Sequence, residues 1–340
     1  MGTYVVGDIH GCFDEWIELK NRIESQDSEA KFILVGDIVD RGPKVMEMIE
    51  WAMQNITVDG KYQMVIGNHE VEKIEWWRKY ILHKDGLQYR IENANDIQCS
   101  YVDFYEDRYD FKYTMEDHGK TDEEVSEIIK FFESLPYYKE LYVDTGRPDG
   151  KQHYLVAHAY IPRSCLDDNE AFDESSIKIE ENDSIGLRLA KLKFKEKIIW
   201  ERIYGGYRNL KNTIVIHGHT PTVIDCFEGY GVTPGAAYFR RCDINVDCGI
   251  TYEMAADRNL CAIRLEDLQE FYLRNYCYTY NEFQIEQKNA MVQLIKTGSL
   301  AESEIEEEFN PDATIALFEK LLEEQEDIFG DWEDEEENQD

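Results

Sequence analysis

The 340-residue sequence predicts an α/β protein built on a largely parallel sheet. Three observations point there. Short apolar runs of four to six residues recur, each bounded by glycine or a polar cluster, as buried strands require. Segments with helically spaced apolar residues separate the first of these runs, which gives successive strand–helix–strand units. The polar clusters stand at the carboxyl end of each run, where open α/β sheets hold their ligands.

The first run, Thr3–Val6, ends in GDIHG, and FDEWIELKNRIES follows with Phe13, Trp16, Ile17 and Ile23 on a helical period. Phe32–Val35 leads into GDIVDRG; Pro43 then suits the first turn of a helix carrying Val45, Met48 and Ile49. Tyr62–Ile66 leads into GNHE, Tyr154–Ala157 into His158, and Thr213–Ile216 into HGHT. If these five strands share one sheet, their polar ends converge on one crevice. Residues 71–150 show no comparable run. The amphipathic VEKIEWWRKYILHKD, and a capping box at Thr121 and Glu124 opening EVSEIIKFFESL, predict a helical cap inserted over the crevice. Residues 166–183 read as a polar loop, and about 185–198 as a helix. Cys242–Asp247, Leu260–Leu265 and Phe271–Arg274 suggest a second, more antiparallel sheet. The organisation expected is one domain over 1–300, an amphipathic helix within 301–330 and an acidic disordered tail over 331–340. In that helix Ile315, Phe318, Leu322 and Ile328 share a face.

Charge narrows the functional classes. There are 36 basic and 71 acidic residues, net −35, whereas nucleic-acid binders usually carry a basic stripe. Residues 301–340 hold 18 Asp or Glu and one Lys, about half of that excess. No apolar run approaches the roughly 18–20 residues that span a bilayer, so no membrane partner is expected. MGTYVVGDIHG lacks the basic start of a secretory signal. The eight cysteines form no CxxC pair, as in reduced intracellular proteins. A soluble, cytoplasmic chain is the expectation.

The chemistry lies in the order GDIHG, GDIVDRG, GNHE, a strand-borne His158 and HGHTP. Five of the eight histidines (10, 69, 158, 217 and 219) fall in these clusters, a concentration that core packing does not explain. Two divalent ions about 3.5–4 Å apart need a bridging carboxylate and mixed oxygen and nitrogen ligands. The clusters offer that set without thiolate, which favours manganese, iron or zinc over magnesium alone.

This series resembles the phosphoprotein phosphatase branch of the calcineurin-like metallophosphoesterases, in its compact bacterial and phage serine/threonine type (the bacteriophage lambda phosphatase type). The likeness runs over roughly residues 1–255 through GDIHGC, GDIVDRG, GNHE, VAHAYIP, IIWER, HGHTP and INVDCG. It implies a four-layer α/β/β/α sandwich and a two-metal centre, manganese foremost, with iron or zinc as other fits. Carried over, Asp8 and His10 bind the first metal, Asp37 bridges, and Asn68, His158 and His219 complete the second. His69 is then the general acid oriented by Asp40, while Arg41, Arg202 and Asn68 contact the phosphate. The implied reaction is hydrolysis of phosphate monoesters, of the phosphoserine or phosphothreonine type, through attack by a metal-bridging hydroxide. His217 and Asp247 read as supporting residues behind the ligands.

Two readings compete. Symmetrical diadenosine tetraphosphate hydrolases share the motif series, so the partner is either a phosphorylated protein or a small phosphorylated substrate. A catalytically silent module that binds phosphorylated partners would normally lack a ligand or the acid, and none is missing here.

Overall fold

The computed structural model describes residues 1–84, 111–148, 150–180, 182–202, 210–224, 231–240, 242–252, 254–274 and 280–298. The chain opens with β1 (Thr3–Val6), α1 (Phe13–Gln26), β2 (Lys31–Leu34), α2 (Val45–Asn55), β3 (Tyr62–Met64) and α3 (Asn68–Lys84). Next come α4 (Phe111–Asp117), α5 (Asp122–Glu133), β4 (Tyr138–Val143), β5 (Gln152–Ala157) and α6 (Ile185–Trp200). The remaining elements are β6 (Thr213–His217), β7 (Tyr238–Arg240), β8 (Asp243–Asn245), β9 (Cys261–Arg264), β10 (Gln269–Tyr272) and α7 (Glu282–Thr297).

The five motif strands do not share one sheet. They divide between two five-stranded sheets, ordered β10-β9-β1-β2-β3 and β4-β5-β6-β8-β7. In the first, β1, β2 and β3 run parallel while β9 and β10 are antiparallel neighbours. In the second, β5, β6 and β8 run parallel between the antiparallel edges β4 and β7. The reason is that these strands are apolar on both faces. Val5, Ile33 and Val35 face Tyr154, Val156, Ile214 and Ile216 of the other sheet across one buried cluster. Tyr4, Val6, Phe32 and Leu34, one residue out of step, pack outward on Trp16, Leu19 and Ile23 of α1 and Met48 and Ile49 of α2. Leu155, Ala157 and Val215 pack outward on the other side, with Ile198 of α6. Helix, sheet, sheet, helix is the resulting order of layers.

Among the described residues, the stretch 71–150 is not wholly helical. Its last part is β4, a half-buried edge strand whose YKELYV sequence is interrupted by Lys139 and Glu140 and so lacks an apolar run. Strand β7, three residues long, is too short to show such a run. The capping box of α5 forms as expected, with Thr121 and Glu124 exchanging side-chain and backbone bonds. Buried residues of α3, α4 and α5, among them Trp77, Phe111 and Phe132, join the outer layer of α1 and α2. Residues 85–110 of the expected cap, and the helix and tail expected over 301–340, lie outside the described residues.

Candidate active site

The carboxyl ends of β1 and β8, one from each sheet, come close together. A Cβ on Gly7, just past β1, would stand 2.1 Å from the Val246 carbonyl oxygen just past β8, so only glycine allows the approach. Of the seven non-glycine residues with positive φ among those described, five lie in this junction: His10 (46°), Asp37 (50°), Asp40 (67°), Arg41 (67°) and His219 (68°). Left-handed backbone at ordinary residues costs energy and gathers where a site over-determines it.

The junction collects most of the expected residues. His158 Nε2, His10 Nε2 and His69 Nε2 lie 3.4, 3.6 and 3.8 Å from Asp37 Oδ2. Asn68 Oδ1 stands 2.8 Å from His158 Nε2 and 3.0 Å from His219 Nδ1. Asp8 lies beneath this group, accepting the His219 backbone N–H at 3.1 Å and filling the space a Cβ on Gly218 would need. Donor atoms of His10, Asp37 and His69, and of Asp37, His158 and His219, lie within 4.8 Å of one another, as a metal site requires. Arg41 reaches inward, its Nη1 3.0 Å from His10 Nε2 and its Nη2 3.1 Å from His69 Nε2. Arg202 is exposed at the end of α6, near enough for its charge to bear on His219.

Whether these residues suit cations can be read from their tautomers. Each of three histidines donates one ring N–H to a backbone carbonyl: His10 Nδ1 to Val39 (2.8 Å), His158 Nδ1 to Val35 (2.9 Å) and His219 Nε2 to Trp200 (3.0 Å). In the neutral ring the other nitrogen then carries a lone pair. The lone pairs of His158 and His219 point at acceptors, Asp37 Oδ2 and Asn68 Oδ1, whereas that of His10 lies 3.6 Å from Asp37 Oδ2 and takes the nearer Arg41 N–H at 3.0 Å. Acceptors facing acceptors in a buried place need positive charge between them. The donor set therefore fits a pair of divalent cations. His69 differs, because its Nδ1 donates to a carboxylate, Asp40 Oδ2, at 2.7 Å.

Electrostatics follow from burial and this crowding. Burial and the nearby Asp247 charge hold Asp8 well above the usual carboxylate range. Burial would also raise Asp37, but His158, His69 and His10 outweigh it and hold Asp37 well below. His10 and His219 are pushed well down, chiefly by burial and then by neighbouring cations. Asp247 is raised to about 6, chiefly by burial.

The motifs alone assign no role to three neighbours. Glu70, fully buried, accepts backbone N–H bonds from Asp37 (2.9 Å), Ile38 (2.8 Å) and Gly67 (2.9 Å), tying the β2 and β3 loops together. Glu72 and Lys73 sit beside Asp40 and His69; their signal was the i, i+3, i+4 spacing from His69 on a helix. Glu70→Gln is expected to cost about 1–3 kcal/mol of stability, since one amide oxygen cannot accept what two carboxylate oxygens do. A denaturant melt superimposable on wild type would remove that clamp. His217 holds Asp243 at 3.2 Å beside Arg240, away from the convergent lone pairs.

The model of the calcineurin-like phosphoesterase family matches residues 1–251. A symmetrical bis(5'-nucleosyl)-tetraphosphatase of Buchnera aphidicola subsp. Baizongia pistaciae is 36% identical over 74 residues, 22% of this chain and 26% of that protein. The enzyme of that name from Methylobacillus flagellatus is 32% identical over 97 residues, 28% of this chain and 34% of that protein. The matches thus span only about a quarter to a third of these relatives' length. A Saccharomyces cerevisiae protein serine/threonine phosphatase superposes with a TM-score of 0.43 at 14% identity, covering 83% of this chain and 82% of that one. A cold-active protein-tyrosine phosphatase of a Shewanella species gives 0.44 at 15%, covering 80% of each chain. No helix among the described residues is long and apolar enough to cross a membrane.

Proposed function

Since the chain belongs to the calcineurin-like phosphoesterase family, which makes it a metal-dependent phosphoric ester hydrolase, we propose that it hydrolyses phosphate monoesters of the phosphoserine and phosphothreonine type. The observation carrying this reading is the arrangement of four histidines around Asp37 and Asn68. Three present metal-binding lone pairs and the fourth, His69, is paired with a carboxylate. His10, Asp37, His158 and His219 bring their donor atoms together, and with Asp8 and Asn68 they would hold two divalent cations, manganese foremost. Bound divalent cations polarise phosphoryl oxygens and lower the pKa of water.

The chain's own groups supply the rest. Arg41, at the inner end of the site, and Arg202, at its rim, would grip the phosphate oxygens through their planar guanidinium forks, with Asn68 beside them. His69, held by Asp40, presents Nε2 to the leaving ester oxygen. As a water oxygen bonds to phosphorus and the ester P–O bond breaks, the proton on Nε2 passes to the ester oxygen, so the alcohol departs neutral and inorganic phosphate remains.

A second reading, hydrolysis of symmetrical dinucleoside polyphosphates, is favoured by the names of the relatives that match short stretches of this chain. The net charge of −35 weighs against so anionic a substrate and for the monoester. The deciding experiment strips the protein with chelator, restores manganese, and offers a phosphopeptide and diadenosine tetraphosphate together. Phosphate released from the peptide is the expected product. ADP alone would replace the first reading with the second. Neither product, with two metals bound, would leave a silent binding module.

A further inference from the structure

Beside the metal-binding cluster lies a third group of potential ligands, Asp40, His69 and Glu72, whose donor atoms also fall within 4.8 Å of one another. Here the chain provides its own cation. Lys73 Nζ stands 2.7 Å from Asp40 Oδ2 and 3.7 Å from Glu72 Oε2. The ammonium also lies over the Phe111 ring of α4, 5.9 Å from its centroid. Lys73 is 5% exposed, Asp40 5%, Glu72 7% and His69 3%. A fully desolvated lysine is costly unless paired, so this one is held in place for its charge.

The consequence concerns Asp40. Its Oδ2 receives both His69 Nδ1–H and Lys73 Nζ–H, each at 2.7 Å. Two donors on one oxygen fix the carboxylate plane, and the imidazole hydrogen-bonded to it cannot swing. Glu72 Oε2, 4.0 Å from His69 Nδ1, is the alternative acceptor for that N–H, and Lys73 stands between the two carboxylates. We infer that Lys73 is a positioning residue for catalysis: it locks Asp40 so that His69 Nε2 stays aimed at the leaving ester oxygen. This rests on the reading of His69 as the proton donor.

The test separates the two. An alkyl phosphate needs its leaving oxygen protonated, whereas p-nitrophenolate leaves without that help. With manganese-loaded full-length protein, Lys73→Met is expected to lower kcat for a phosphoserine peptide by about 10–100-fold at unchanged KM. Turnover of p-nitrophenyl phosphate should stay within about threefold of wild type, as expected for a support acting only through the acid. Adding Lys73→Met to His69→Asn should produce no further loss, since residues acting through one step are not additive. Lys73→Gln keeps a donor for Asp40 and should fall between the two, which covers a poorly folded Met variant. Equal losses on both esters, no loss on either, or an additive double variant would overturn the role of Lys73. If His69→Asn itself slows both esters equally, the acid reading fails and takes this inference with it.

Discussion

His69→Asn should slow turnover of a phosphoserine peptide by roughly 10²–10⁴-fold while leaving both metals bound. What each histidine's second nitrogen touches sets its role. Val39, Val35 and Trp200 carbonyls take the N–H of His10, His158 and His219, so each ring, once neutral, turns its other nitrogen's lone pair outward to suit a cation. Asp40 is a carboxylate, a partner suited to a ring that carries a proton and gives it up. Asparagine keeps polarity and bulk near Asp40 but has no proton to transfer. The two measurements needed are kcat and metal content on the same preparation. Loss of a metal would move His69 into the ligand set beside His10 and Asp37, whose atoms it also approaches. Unchanged turnover would end its role altogether.

Much of this site was legible in the sequence because strand and polar turn are contiguous there. GDIHG, GDIVDRG, GNHE, His158 and HGHT each follow an apolar run directly, so the strand ends deliver them without knowledge of the tertiary fold. The split into two sheets was not legible in the same way. A strand apolar on both faces states that both are covered, yet the next strand of a parallel sheet and a facing second sheet leave the same mark. The edges β4 and β7 were hidden because edge strands are short or polar, which protects them from further pairing. Lys73 escaped for another reason. An exposed helix reads VEK as surface charge, and only the burial of α3 against the GDIVDRG turn converts it into a partner for Asp40. The left-handed backbone at Asp40 and Arg41 is equally a tertiary fact, since Asp and Arg do not announce it.

Asp37→Asn should remove both metals and with them the activity, a larger effect than any other single change in the site. Asp37 Oδ2 is the atom on which three imidazoles converge, and Oδ1 accepts the His69 backbone N–H at 3.0 Å. An amide in its place would keep one acceptor and turn N–H bonds toward the lone pairs of His10 and His158, spending those lone pairs on the protein. The same carboxylate governs the metal-stripped form. Burial alone would lower the His158 pKa, but the Asp37 charge outweighs it and lifts the value to about 10. The folded value lies above the unfolded one of roughly 6.5, so protonation favours the folded stripped protein. That stabilisation is complete below about pH 6.5 and is lost as pH rises through about 10. Stripped wild type should therefore melt at progressively lower temperature across that window, and stripped Asp37→Asn should lack the trend. Metal reverses the sense: it needs the lone pair on His158, so binding expels the proton and tightens with rising pH. A variant that retains two metals, or a stripped wild type whose melting is flat from pH 6.5 to 10, would show that Asp37 is not the charge around which the site is built.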